Sequence, residues 1–304
     1  MGKIAFVFSG QGAQFTGMGK DLYDNFSAAR KIFDVSETIR KGTIDQCFTA
    51  SKEELSQTIN TQPCLYTVDL AAAECLRAEG ILPDAIAGFS LGEIAALTFS
   101  QVFSLEDGFR FVCKRAQAMD TAAKASPSAM AAVLNLQNDL IEKTAMKYNS
   151  VYPVNYNCPG QLVVAGLSDS MDRFKAEIQS LGGRVMMLAV SGGFHSPFMN
   201  SASDELRAVV YDCLMNEPKI PVYANVSGEP YRSSDQAETL IAQINHPVQW
   251  QKTIENMSAV GINTFIEVGP GKVLSNLIKR TIPDALLYNV QDKETFEQTL
   301  VNLQ

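Results

Sequence analysis

The chain is poor in the features that most often announce a function. Positive charge is in deficit: 25 Lys and Arg stand against 33 Asp and Glu, for a net charge of −8. No overall field is available to gather nucleic acid, so an anionic partner has to meet a local basic patch. No stretch approaches 18 uninterrupted apolar residues, and no membrane span is expected. The six cysteines (47, 64, 75, 113, 158 and 213) lie at least eleven residues apart, with no C-x-x-C and no nearby histidine pattern. That argues against zinc and redox motifs and predicts buried free thiols, as in a reducing cytoplasm. Histidine is scarce, with two in 304 residues. There is no internal repeat and no low-complexity segment.

What remains is an ordinary globular composition, 46% hydrophobic and 19% charged, in a chain long enough for one large core or a core with a satellite domain. The opening MGKIAFVFSG passes from one lysine into the apolar run Ile4 to Phe8. It is too short for a signal-peptide core and suits a first buried strand. Phe6 also sits where a myristoylation signal needs Ser or Thr.

Helical periodicity follows from about Met18 to Arg40 and again from Gln62 to Glu79. A short strand, Ala85 to Phe89, leads into a helix from Leu91 to Phe99, and another helix covers Leu105 to Ala123. Strands alternating with helices imply a parallel sheet covered on both faces. The pattern then changes to strand Ala129–Leu134, helix Asp139–Tyr148, strands Val151–Tyr156 and Gln161–Ala165, helix Met171–Leu181 and strand Arg184–Val190. Cys158-Pro159-Gly160 makes the hairpin turn. This β-α-β-β-α-β order is the ferredoxin-like unit, flanked by Ser126-Pro127-Ser128 and Ser191-Gly192-Gly193 as linkers. Alternation resumes afterwards with strands at Val222–Asn225, Thr264–Val268 and Leu286–Val290. The expected fold is α/β: a large parallel-sheet, α/β-hydrolase-like domain (residues 1–125 and 193–304) carrying an inserted ferredoxin-like domain (126–192).

Gly88-Phe89-Ser90-Leu91-Gly92 fits G-x-S-x-G in the context that motif requires, an apolar strand before and a helix after. A serine on such a turn projects its hydroxyl into a cleft, and the next amide can help hold an oxyanion. A helix N-cap serine is the competing reading. A nucleophilic serine needs a base, and the candidates are His195 and His246. His195 lies where the chain returns from the small domain to the large one, so the interdomain cleft favours it. The glycine-rich SGQGAQFTGMGKD resembles a phosphate loop in placement. Phe15, however, stands where a dinucleotide fingerprint wants Gly or Ala, and no G-x-x-x-x-G-K-[ST] register fits. Such a turn can equally aim a backbone N–H at a developing oxyanion.

Seven segments carry a resemblance: FSGQGAQ (8–14), GFSLGE (88–93), KRAQAM (114–119), NYNCPGQLVVAG (155–166), GGFHSPFM (192–199), NHPVQW (245–250) and EVGPGKVL (267–274). In this order and spacing the chain resembles the malonyl-CoA:acyl-carrier-protein transacylases of fatty acid synthesis and the related acyltransferases of polyketide synthases. The resemblance implies ping-pong transfer. Ser90 attacks the malonyl thioester, His195 takes its proton, CoA leaves, and the phosphopantetheine thiol of an acyl carrier protein collects the acyl group. It further implies an oxyanion hole from the backbone amides of Gln11 and Leu91, and Gln249 as the residue whose main-chain carbonyl orients the histidine. Arg115 would grip the malonate carboxylate, as a planar, always-charged partner can. Phe194 would crowd an α-methyl branch.

Two departures from the family pattern stand out. Phe89 lies in the acyl pocket where histidine is usual, and Ser9 replaces a proline. Lys272, Lys279 and Arg280 offer one helix face as a docking patch for CoA or the carrier. The implied partners are malonyl-CoA and an acyl carrier protein, with no cofactor, metal, nucleic acid or membrane, in the cytoplasm. The alternatives are a trans-acting polyketide acyltransferase, an α/β serine hydrolase acting on acyl thioesters, and a catalytically silent carrier-binding subunit.

Overall fold

A computed structural model describes residues 2–303. The first strand, β1 (Lys3–Phe8), is buried from Ile4 onward, as a five-residue apolar run in the middle of a sheet must be. Helices α1 (Lys20–Asn25), α2 (Ser27–Ile39), α3 (Thr43–Thr49), α4 (Lys52–Leu55) and α5 (Thr58–Ala78) lead to β2 (Ala85–Gly88), α6 (Gly92–Phe99) and α7 (Leu105–Ala125). The chain then builds β3 (Ala129–Leu134), α8 (Asn138–Ala145), β4 (Val151–Cys158), β5 (Gln161–Gly166), α9 (Ser168–Ser180) and β6 (Arg184–Met187). It closes with α10 (Asn200–Asp212), β7 (Val222–Tyr223), α11 (Gln236–Ala242), α12 (Trp250–Ala259), β8 (Ile262–Val268), α13 (Val273–Thr281), β9 (Leu286–Val290) and α14 (Lys293–Leu303).

Two separate sheets result. The first has order β7-β2-β1-β8-β9 and every pairing in it is parallel. The second, built only from residues 129–187, has order β4-β5-β3-β6 and is antiparallel throughout. The architecture is therefore α/β, with a mostly parallel sheet and a separate antiparallel one. The antiparallel unit is tied to the rest of the chain at β4, where Tyr156 N–H donates to Val248 O and Val248 N–H donates to Val154 O. Arg280 on α13 adds bonds from its guanidinium to Gln161 Oε1 (2.5 Å) and Pro159 O (3.2 Å) in the β4–β5 hairpin.

The structure departs from the periodicity in three places. The helix expected over 18–40 is two helices, because Phe26 is extended between them (φ −124°, ψ 125°) and drives its ring against Phe296, 4.7 Å away. Helix α5 starts at Thr58, not Gln62, and carries Pro63 inside its second turn. Proline costs a helix least in its first turn, where the N–H groups have no carbonyl partner; in the second turn Pro63 withholds the donor that Ile59 O would otherwise receive. The short helices α3 and α4 had no strong apolar period to announce them.

Candidate active site

Ser90 sits at the C-terminal end of β2, beside the central strand. Its turn is tight enough to need glycine on both sides. A Cβ on Gly88 would lie 1.9 Å from the carbonyl carbon of Gly92, and one on Gly92 would lie 2.3 Å from Phe8 O. Ser90 itself adopts a left-handed backbone, φ 55°, a conformation that costs a non-glycine residue on the order of 1–3 kcal/mol and persists where the surroundings enforce it. It does not cap the following helix with its side chain. Instead Ser90 Oγ lies 2.7 Å from His195 Nε2.

His195 is also left-handed, φ 60°, and 3% exposed. Its Nδ1 stands 2.9 Å from Gln243 O. A carbonyl only accepts, so Nδ1 carries the proton and Nε2 is left as the acceptor for the serine hydroxyl. Burial first, and the positive charge of Arg115 second, pull the imidazole down to about 3, so it stays unprotonated, with its Nε2 lone pair open to the serine hydroxyl, across the physiological range.

The histidine's orienting carbonyl is a correction to the reading of the sequence, which placed Gln249 there. Gln249 precedes α12 and its carbonyl accepts from Thr253 N–H (2.9 Å) and Thr253 Oγ1 (3.0 Å). Gln243 ends α11, and the last carbonyls of a helix have no partner within it. The free carbonyl is therefore the one the histidine finds. His246, the other candidate base, is exposed and turns its ring to Ala242 O and Asn245 Oδ1.

Arg115, on α7, is fully buried. Its Nη1 donates to Gln62 Oε1 (2.6 Å), and its Nη2 to Gln243 Oε1 (2.9 Å) and to Ser90 Oγ (3.2 Å). Among the described residues it makes no ion pair, and Nε is left without an acceptor. Burial draws its pKa down to about 10, against the opposing charge of Glu93, and it remains a cation at neutral pH. A desolvated guanidinium with neutral partners and a spare donor is arranged to receive an anion.

The amides of Gln11 and Leu91 have no acceptor among the described residues, and their loops touch. A Cβ on Gly10 would meet Phe89 O at 2.6 Å. Both N–H groups are thus free to serve an oxygen near Ser90. Phe89 packs edge-on against Trp250, ring centroids 5.5 Å apart, and Phe194, beside the histidine, is 6% exposed within the main core. Among the described residues no group of three or more His, Cys, Asp or Glu converges as a metal site does.

An acyl transferase domain matches residues 5–299 of the chain. A malonyl CoA-acyl carrier protein transacylase of Bacillus subtilis (strain 168) is 39% identical over 311 residues, covering 100% of this chain and 98% of that protein. The chain belongs to the malonyl CoA-acyl carrier protein transacylase family. A crystal structure of such a transacylase from Clostridium perfringens superposes with a TM-score of 0.96 at 34% identity, covering 99% of this chain and 97% of that one. Similar too is a malonyl-transacylase solved in complex with a holo type II polyketide acyl-carrier protein, with a TM-score of 0.94 at 31% identity over 99% of both chains.

Several residues around this transacylase-family site went unseen in the sequence. Gln62, Gln243, Glu93 and Asn225 come from four separate segments and converge behind Ser90 and Arg115. Gln243 touches all three site residues: its carbonyl meets His195, its Oε1 meets Arg115, and its Nε2 donates to Ser90 O (2.5 Å). Glutamine has no chemical signature of its own, and only the fold brings these segments together. The basic face proposed on α13 is partly committed elsewhere, since Lys279 bonds Pro283 O and Arg280 bridges to the small sheet. Lys272 is exposed.

Proposed function

We propose that the chain moves a malonyl group from CoA to the phosphopantetheine thiol of an acyl carrier protein through an ester on Ser90. His195 Nε2 takes the serine proton as Oγ attacks the thioester carbonyl. The carbonyl oxygen takes up negative charge facing the amides of Gln11 and Leu91. The C–S bond breaks, and the imidazolium returns its proton to the departing CoA sulfur. In the second half the carrier thiol gives its proton to His195 and attacks the ester, and Ser90 recovers its hydrogen. Arg115 holds the distal carboxylate of malonate in both halves. Phe194 narrows the acyl pocket, and Phe89 shapes its wall through Trp250. CoA is a substrate here, and the cycle calls for no cofactor.

The observation that carries this reading is the shared hydrogen bond of Ser90 Oγ with a neutral base at 2.7 Å and a buried, carboxylate-free cation at 3.2 Å. The reading also takes 126–192 as a ferredoxin-like insert, from its β4-β5-β3-β6 order, set in an α/β-hydrolase-like domain of residues 1–125 and 193–304. It places the reaction in the cytoplasm. Among the described residues no helix is long and apolar enough to cross a membrane.

Intact-protein mass after brief exposure to malonyl-CoA tests it, for wild type and Ser90→Ala, followed by holo carrier protein. A malonyl adduct on wild type alone that passes to the carrier is expected. An adduct released only to water makes the chain a thioester hydrolase, and no adduct removes the nucleophile.

A further inference from the structure

The glycines at 88 and 92 permit the left-handed turn at Ser90 but do not hold it there. Gln243 Nε2 holds Ser90 O from one side, and a side chain from another strand end holds the amide side of the turn. Asn225, two residues beyond β7 and 1% exposed, accepts from Ser90 N–H through Oδ1 at 2.6 Å and donates through Nδ2 to Gly88 O at 2.6 Å. One carboxamide thus grips the backbone on both sides of Phe89.

Asn225 is itself fixed at both its main-chain atoms. Its N–H donates to Glu93 Oε1 (3.2 Å) and its carbonyl accepts from Gln249 N–H (2.7 Å). Glu93, on the first turn of α6 and fully buried, also accepts from Tyr231 Oη (2.5 Å). Nothing in the chemistry of transfer uses Asn225, Glu93 or Tyr231, yet together they form a buried polar cluster directly behind the turn.

Two consequences follow from the geometry. The amide of Ser90 is taken, so the free donors near the reacting carbonyl are Leu91 and Gln11. And the direction of Cα–Cβ at Ser90 is set by a backbone conformation that relaxes once its amide is released. We infer that Asn225 is the positioning residue of the nucleophile turn: its carboxamide, seated by Glu93, holds Ser90 where Oγ meets His195 Nε2 and Arg115 Nη2 at once. This rests on the acyl-ester reading above. The pattern required is one acceptor and one donor on a short planar group, which asparagine and a protonated aspartic acid supply and an aspartate does not.

The test is the rate at which Ser90 is malonylated, per folded molecule, in wild type, Asn225→Ala and Asn225→Asp between pH 5.5 and 8. Titratable or charged groups facing the cluster are Glu93 from α6 and Tyr231 from the segment after β7, with His195 and Arg115 across the serine. A new carboxyl beside Glu93 couples to it, so the ratio is measured in the Glu93→Gln background as well, where the remaining pH dependence belongs to position 225. Asn225→Ala is expected to lower the maximal rate about 10- to 100-fold, with KM for malonyl-CoA within about twofold, since a misdirected nucleophile loses rate rather than binding. The Asn225→Asp ratio is expected to climb at least about fivefold as pH falls and the new carboxyl becomes protonated. A residue that merely supports folding lowers the melting temperature and leaves both readouts flat, and a flat Asn225→Asp ratio overturns the inference even if Asn225→Ala does not fold. Failure of wild type to form the adduct is a separate result, which removes the acyl-ester reading and this inference with it.

Discussion

Arg115 Nη2 and Ser90 Oγ are 3.2 Å apart, so the cation that would hold a substrate's carboxylate touches the atom that would attack its carbonyl. Malonate has its carboxylate and its thioester carbonyl separated by one methylene. An acyl group anchored by its far end at Arg115 would therefore present its near end to Ser90, and under the proposed transfer the arginine would serve as a ruler as well as a charge.

Removing that ruler should separate charged from uncharged donors. Arg115→Ala is expected to cost malonyl transfer about 3–5 kcal/mol, the usual penalty for leaving a desolvated charge without its partner, or roughly a hundred- to several-thousand-fold in kcat/KM. Acetyl transfer should fall far less. Parallel assays with malonyl-CoA and acetyl-CoA decide it, and equal losses remove Arg115 from carboxylate binding.

The two glutamines that bracket the NHPV segment should behave oppositely. Gln243→Ala strips Arg115 of an acceptor and Ser90 O of a donor, and a loss of about 10- to 100-fold in kcat is expected from two buried contacts. Gln249→Ala touches neither and should stay within about twofold of wild type. Steady-state kinetics of the pair checks the assignment, and a severe Gln249 defect would return that residue to the site.

Buried at the site, His195 is held at about 3, below the ordinary histidine value of about 6.5. The base works when neutral, so kcat/KM for malonylation should stay level as pH falls from 7 to about 5 instead of halving near 6.5. A pH–rate profile in wild type and Glu93→Gln reads this directly, and an inflection near 6.5 in both would mean that the imidazole is not so depressed.

Glu93 shifts the other way. Burial raises it from 4.5 to about 7, partly opposed by the hydrogen bond from Tyr231. With the folded pKa above the unfolded one, the fold binds this proton more tightly. The stability it lends is complete below about 4.5 and declines as pH rises towards 7, by at most about 1.4 kcal/mol per unit. Glu93→Gln should lose that decline. Urea unfolding of both proteins at pH 5 and 8 measures the difference, and identical pH slopes would show that Glu93 ionises as freely folded as unfolded.

Much of the scaffold is legible in the order of the residues. A five-residue apolar run such as Ile4–Phe8, closed by Ser9-Gly10, has the length and boundary of a buried strand, and the change from βα alternation to β-α-β-β-α-β marks where the second sheet begins. Ser90 stands out because a G-x-S-x-G between strand and helix is a local pattern with a local cause. Its support is not legible in the same way. Asn225 lies 135 residues from the amide it accepts, and neither its type nor its neighbours distinguish it from a loop asparagine. Gln243 and Gln249 flank one short segment, and only helix ends tell their carbonyls apart. Where α11 stops decides the matter, and no residue there is a strong stop signal.

The chain leaves the large sheet after α7 and returns just before His195, and there Gly193 N–H donates to Ser128 Oγ at 2.7 Å. Entry and exit of the insert are thereby stitched to each other. Residues between them form a cassette with a closed mouth: its interior can lengthen, shorten or change sequence while the spacing of its two ends stays the same. Changes within the cassette are then uncoupled from the spacing between Ser90, in the large sheet, and His195, which follows the closed mouth.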